Sequence, residues 1–319
     1  MSNPQARQDP GSRGPLLVRL CNWVGEVVLS VPAIRRLSLA GYSVHLYGKR
    51  WAPALLEGME LPVTVRDERH RLAIGQLRQM SRAMRTQDPG SRPGALLFTR
   101  SISSAVETRL AGFRPVGYAY DGRQLFLHEA YPRPRGIHMG EEYWRIVNAF
   151  LREDLPFPDR LDMRPSASQT AAASALLAQA GIAAGSYVVL CPFSGSDDRE
   201  DRKVWPGFAD LSRQLLAQGR AVVVCPGPGE EEAARARAPG AVLLPGVDLG
   251  TYGALLALSQ AAVSNDTGPG HIAAGVGARL VSIHGPPSTA AWAPVGPQVT
   301  LFPHEGRWAS VDEVEQALR

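Results

Sequence analysis

The chain has 319 residues, 45% hydrophobic and 7% aromatic, the make-up of a globular protein, and its length predicts two domains of about 150 residues each. No apolar run approaches the roughly 18 residues that span a bilayer, and Cys21, Cys191 and Cys225 form neither a metal-binding pattern nor the disulfide framework of a secreted protein. Charge is divided: residues 1–167 hold 23 Arg and 1 Lys against 16 acids, net +8, while residues 168–319 hold 9 Arg and 1 Lys against 14 acids, net −4. A basic half suits an anionic partner such as a phosphorylated lipid, a nucleic acid or a membrane surface, or it is simply a solvated Arg-rich face. No aromatic interleaving or motif favours nucleic acid.

Residues 1–14 lack the apolar core of a secretion signal and are expected to be a disordered tail on a cytosolic protein. "PLLVRL" (15–20) reads as a buried strand, followed by a loop and a helix from about Gly25 to Ala40. "YSVHLYG" and "GALLFTR" (94–100) are the next strands, with a helix from about Ser103 and another in "IHMGEEYWRIVNAFLRED". This alternation predicts a mostly parallel, doubly wound sheet over 15–152. The Pro- and charge-rich segment 153–167 is the expected linker. The alternation then restarts over 168–305: strands in "YVVLCPF", "AVVVCPG", "AVLLPG", "AAVSND" and "ARLVSIHG" are separated by helical stretches. An amphipathic piece, "SVDEVEQALR", closes the chain within a final segment, 306–319. The expected architecture is α/β, with two Rossmann-like halves facing across a cleft that receives the loops at the strands' carboxyl ends.

Those loops carry the chemistry. Asp266, Thr267 and Gly268 stand between a strand and a helix, where exposed N–H groups and the helix dipole favour phosphate oxygens. Gly268 lets backbone approach a ligand, Pro269 fits a first helical turn, and Asp266 suits sugar hydroxyls. The plainer alternative is that Asp266 or Thr267 only caps the helix. In "PFSGSDDREDRKVWP" (192–206), Ser194 and its small neighbours can wrap an anion that Lys203 reaches. Lys203 is one of only two lysines, beside Lys49, among 34 basic residues, which points to a need for a compact ammonium. Glu230 enters a helix where Rossmann units hold ribose hydroxyls, although an acid there also serves the helix dipole. Glu26 opens the first helix and is placed to take a proton from an attacking hydroxyl.

In that order the loops resemble those of the glycosyltransferase family nine enzymes, the ADP-heptose:lipopolysaccharide heptosyltransferases. The resemblance rests on "WVGEVVLSVPAIRRL", "KVWPGFADL", "PGEEEAARA" and above all "SNDTGPGHIAAGVGARLVSIHGPPSTAAWAP", and covers most of residues 15–318. It implies a GT-B fold and a metal-independent, inverting glycosyltransferase without cofactor, in which an N-terminal half binds the acceptor and a C-terminal half binds the ADP-sugar. It implies Lys203 on the donor phosphates, Glu230 on the adenosine ribose, Val247 near the adenine, Asp266 on the heptose, Thr267 and Gly268 in the phosphate turn, and His271 on the next helical turn. The family's base is an Asp where this chain has Glu26, one methylene longer. The family bulk at position 270 is replaced by Gly270. The implied partners are ADP-heptose or a related ADP-sugar and a lipopolysaccharide core acceptor, met at the cytoplasmic face of the inner membrane; no nucleic acid is expected. Arg100, Arg109, Arg114, Arg123, Arg133 and Arg135 are candidates for an anionic acceptor. A same-fold nucleotide-sugar epimerase and a non-catalytic ADP-sugar-binding relative are the alternatives.

Overall fold

The structure, a computed structural model, describes residues 13–87, 92–193, 204–286 and 290–319. Ser194 and Lys203 lie outside the described residues. The N-terminal half contains strands β1 (Pro15–Arg19), β2 (Ser43–Gly48), β3 (Val63–Val65), β4 (Gly94–Leu97), β5 (Arg114–Ala119) and β6 (Glu129–Pro132). Its helices are α1 (Val24–Leu39), α2 (Ala52–Leu56), α3 (His70–Gln87), α4 (Ile102–Leu110) and α5 (Met139–Leu151). Residues 153–166 have no regular structure, and α6 (Ala167–Gln179) opens on a capping box formed by Ser166 and Gln169.

The second half repeats the plan. Strands β7 (Tyr187–Cys191), β8 (Ala221–Val224), β9 (Val242–Leu243), β10 (Ala261–Asn265), β11 (Leu280–Ile283) and β12 (Val299–Phe302) alternate with α7 (Phe208–Ala217), α8 (Glu231–Arg237), α9 (Leu249–Ala257) and α10 (Gly268–Gly275). The closing helix α11 (Val311–Ala317) packs on α7, under a Ser310–Glu313 capping box.

The strand orders are β3-β2-β1-β4-β5-β6 and β12-β11-β10-β7-β8-β9, with every described pairing parallel. Each is the doubly wound order whose switch point opens a crevice at the strands' carboxyl ends. The crevices therefore lie between the ends of β1 and β4, and between the ends of β7 and β10. A parallel sheet buries both faces, and the sequence shows it. Tyr187, Val189 and Cys191 point into one core while Val188 and Leu190 point into another. The larger core crosses the molecule, joining Val28 and Ile34 of α1 to Ile272 and Ala273 of α10 and Leu255 of α9.

The seam between the halves is made by α1 against α10, with α2 against α9 and the Ala290–Trp292 turn against α5 beside it. Glycines permit the approach: a Cβ on Gly25 would meet the His271 ring, one on Gly268 would meet Val24, and one on Gly275 would meet Val28. Helices α1 and α10 begin at the carboxyl ends of β1 and β10, so the seam brings the two crevices together.

Candidate functional site

Glu26 sits in the first turn of α1 and is 7% exposed. Its Oε1 accepts two hydrogen bonds, from Arg100 Nη2 at 3.0 Å and from the Tyr143 hydroxyl at 3.1 Å. Oε2 has no hydrogen-bond partner among the described residues. One oxygen is thus held while the other is left to receive a proton. Burial pushes the Glu26 carboxyl above its ordinary range, against the opposing pull of Arg100 and Tyr143. Arg100 follows β4 and Tyr143 comes from α5, so three elements converge on one carboxylate. The Cys21 thiol, after β1, donates to the Tyr143 hydroxyl at 3.0 Å. Burial, with the Glu26 charge adding to it, pushes this thiol well up, which keeps it a neutral donor.

Glu26 and Arg100 line a cavity of about 260 Å³ between β1 and β4, closed on the far side by Trp292 of the C-terminal half. A groove of about 1270 Å³ opens beside it, past Asn22 and Val24; its walls carry Lys49, Arg50, Arg66 and Arg69 together with Asp67 and Glu68, Lys49 pairing with Glu68 and Arg69 with Asp67. Trp23 stands 74% exposed on the rim of both.

Across the seam, Asp266, Thr267 and Gly268 lead into α10. Thr267 occupies the N-cap position with extended backbone, and its own side chain makes no cap hydrogen bond. Asp266 lies 3.6 Å from His284 Nδ1, and His284 Nε2 meets Ser282 Oγ at 3.0 Å. Burial holds His284 below the usual histidine range, against the opposing pull of Asp266. His271 is buried against Gly25, with Nδ1 unpartnered among the described residues. Burial first, then His138 and His284, hold its pKa down to about 3. It is a neutral packing and dipolar group at physiological pH.

Asn265 explains another part of the "SND" stretch. Its side chain accepts from Trp205 N at 2.9 Å and donates to Phe193 O at 3.3 Å. One buried amide therefore ties down both flanks of the loop bearing Ser194 and Lys203. Trp205 itself is a core residue whose indole donates to Ala309 O at 2.8 Å.

Glu230 and Val247 follow β8 and β9, on the same edge of the sheet as Asp266 but farther along it. In the order β10-β7-β8-β9, Glu230 follows the strand two along from the one that ends at Asp266, and Val247 follows the strand after that. The Glu230 carboxylate folds back on its own turn, accepting from Gly227 N at 2.8 Å through Oε2. Val247 is half-buried against the main core, just before the Asp248 cap of α9. The structure thus joins Glu26 to Asp266, Thr267, Gly268 and His271, and strings Glu230 and Val247 along the rim.

Two of the arginines expected to meet an acceptor do something else. Arg123 is fully buried, and its Nη1 donates to Thr99 O at 2.5 Å; burial brings its pKa down to about 10. It supports the loop that carries Arg100 and is not open to a ligand. Arg133 makes a two-point ion pair with Glu142, at 2.9 and 3.0 Å, and lies over Tyr120. Arg109, Arg114 and Arg135 are exposed. Sequence reasoning passed over Tyr143, Cys21, His284 and Trp292. His284 and Trp292 sit inside the quoted "SIHGPPSTAAWAP", so a signal for them was present; nothing local marks Tyr143, whose role comes from α5 crossing behind α1. Among the described residues, no group of three or more His, Cys, Asp or Glu could hold a metal ion.

Two Rossmann-ordered sheets with their switch crevices turned toward one another define the GT-B class of α/β protein. Within that class, the family model for glycosyltransferase family 9 (heptosyltransferase) matches residues 94–318, and the chain belongs to that family. The fold is shared with a family 9 glycosyl transferase from Veillonella parvula, with TM-score 0.82 and 15% identity over 97% of each chain. It is also shared with the Escherichia coli ADP-heptose lipopolysaccharide heptosyltransferase II, with TM-score 0.77 and 22% identity over 95% of this chain and 97% of that one. The E. coli heptosyltransferase WaaC, solved with ADP, follows with TM-score 0.74 and 20% identity over 95% of this chain and 98% of that one. Among curated proteins no match is found. No helix among the described residues is long and apolar enough to cross a membrane.

Proposed function

We propose that the protein moves a heptose, or a related sugar, from an ADP-sugar to a lipopolysaccharide core acceptor, with inversion and without a metal. The observation that carries this reading is Glu26: a buried carboxylate, one oxygen gripped by Arg100 and Tyr143, the other unpaired at the meeting of the two crevices. Oε2 takes the proton of the acceptor hydroxyl as that oxygen attacks the anomeric carbon. The bond from the anomeric carbon to the phosphate oxygen breaks, and ADP departs with the electron pair. The N–H groups at the start of α10, together with Lys203 and Ser194, stabilise the charge that develops on the diphosphate. Asp266 holds the sugar. Glu230 and Val247, which follow β8 and β9 on the same edge of the sheet, take the ribose and the adenine. The groove beside Glu26 keeps Arg50 and Arg66 in excess of its acids, which suits an anionic acceptor, with Trp23 as a face for a sugar ring. A basic acceptor half is also compatible with peripheral contact at the cytoplasmic face of the inner membrane.

The test is a panel of sugar nucleotides offered with truncated core acceptors and read by mass spectrometry, in EDTA. The expected product is the acceptor plus one heptose, formed from the ADP-sugar only. Isomerisation of a sugar nucleotide without acceptor would instead make the protein an epimerase. ADP binding without turnover would make it a non-catalytic relative. ADP should also raise the melting temperature far more than UDP or GDP; a ligand at about 100 times its Kd adds roughly 2.7 kcal/mol to the native state.

A further inference from the structure

One group that holds Glu26, and the start of the helix that carries the other, both rest on one short turn of the opposite half. The turn is Ala290–Trp292 with Ala293 behind it. The Arg100 guanidinium lies over the Trp292 ring, 5.7 Å from its centroid. His138 Nε2 donates to Ala293 O at 2.9 Å, and the other ring nitrogen, Nδ1, accepts from Gly140 N at 3.1 Å. His138 is the N-cap of α5, the helix that presents Tyr143. So the C-terminal half touches Arg100 directly, and touches the base of Tyr143's helix one residue later.

We propose that the 290–293 turn is a positioning element for Glu26: by seating Arg100 on Trp292 and the start of α5 on Ala293, the C-terminal half sets the orientation and ionisation of a carboxylate in the N-terminal half. The proposal rests on Glu26 as the base. Its physical basis is a balance of opposed effects. Burial favours the protonated acid, and Arg100 and Tyr143 favour the carboxylate. The other groups facing Glu26 do not replace them. Cys21 and His271 are neutral, and Glu142 opposes ionisation while being paired with Arg133. Arg100 has no other ion-pair partner among the described residues, and an arginine side chain resting on an indole face loses less freedom in keeping its hydrogen bond. Joining the halves therefore prepares the base at the place where both substrates meet.

A ¹³C-carboxyl NMR titration of the full-length protein tests this, with the Glu26 signal assigned by its loss in Glu26→Gln. In Trp292→Ala the Glu26 midpoint should rise by about one pH unit, the low end for loss of a neighbouring opposite charge. Trp292→Phe, which keeps an aromatic face, should stay within a few tenths of a unit. Arg100→Gln should shift the midpoint in the same direction, and adding Trp292→Ala to it should shift it no further. His138→Asn keeps a good helix cap but loses the reach to Ala293 O, and should give a smaller upward shift; it also serves if Trp292→Ala does not fold. An unmoved midpoint in Trp292→Ala, or in His138→Asn where the first variant does not fold, overturns the proposal, as does a Trp292→Ala shift fully additive with Arg100→Gln. The base assignment fails separately, if Glu26→Gln turns over at the wild-type rate whatever the titration gives.

Discussion

Gly25→Ala would put a methyl group at the closest approach of the two halves. An ideal Cβ there lies 2.5 Å from His271 Cδ2, 3.0 Å from Nε2 and 3.1 Å from Cγ. Carbon atoms rest about 3.5–4.0 Å apart, so ring and methyl must separate by roughly 1 Å. The ring has little room, because His271 is 6% exposed, beside fully buried Ile272 and Ala273. Overpacking of this kind costs about 1–3 kcal/mol. Alanine returns part of that, up to about 1 kcal/mol in a helix interior and less in a first turn. The expected outcome is a net loss of about 1–2 kcal/mol, read from urea or thermal unfolding. The decisive measurement is the cycle with His271→Ala, which leaves a cavity of its own but makes room for the methyl. The double variant should be more stable than the summed single losses predict, by about 1–3 kcal/mol. A Gly25→Ala protein as stable as wild type, or losses that simply add, would refute the tight seam between α1 and α10.

Glu26→Gln should lose about 10²- to 10⁴-fold in turnover with ADP affinity unchanged, because the amide keeps the shape and removes the base; Glu26→Asp should retain activity, and a steady-state assay beside an ADP titration distinguishes these outcomes. Lys203→Ala should weaken ADP binding by about 1.5–3 kcal/mol, the scale of a charge-assisted hydrogen bond, and Lys203→Arg should also bind more weakly, since a planar fork does not replace a point charge; calorimetry showing unchanged ADP affinity in the alanine variant removes Lys203 from the site. For His271, the folded pKa of about 3 lies below the unfolded histidine value of 6.5. The unfolded chain therefore binds the extra proton first, and stability should fall as pH drops from 6.5 toward 3, by up to about 1.4 kcal/mol per unit from this group. In His271→Leu that part of the pH–stability slope should vanish; an unchanged slope means that His271 does not supply it.

The alternation of apolar runs and helical stretches determined the two doubly wound halves, because a strand buried on both faces announces itself as a continuous apolar run. "YVVLC" and "AVVV" needed no context. Elements at sheet margins were not legible in the same way. β6 ("EAYP") is an edge strand with mostly exposed side chains, so no apolar run marks it, and β12 ("VTLF"), also at an edge, is apolar but only four residues long with Thr300 and Leu301 exposed. β5 ("RPVGYA") contains Pro115 and Gly117, which read as a turn, although the strand is buried; its Gly117 leaves space for the Arg123 guanidinium, whose Nη2 would lie 3.3 Å from a Cβ there. Helix α3 keeps a helical spacing, burying Ala73, Leu77, Ser81 and Met84, but Arg- and Gln-rich neighbours dilute it.

The same division runs through the site. Local sequence determined that Glu26, Asp266, Thr267 and Gly268 stand where strands end and helices begin, since Gly, Pro and short polar residues at such joints have few other uses. Only the tertiary structure decided what those residues meet. Arg123, a basic residue like its neighbours in the chain, is enclosed behind Thr99, whereas Arg100 is turned onto Glu26 and Trp292. Tyr143 reaches Glu26 from 117 residues away along the chain, and Trp292 reaches Arg100 from the opposite half. Such contacts are fixed by how α1, α5 and α10 cross, and a crossing is set by the packing of whole helix faces, not by the spacing of residues within any one of them.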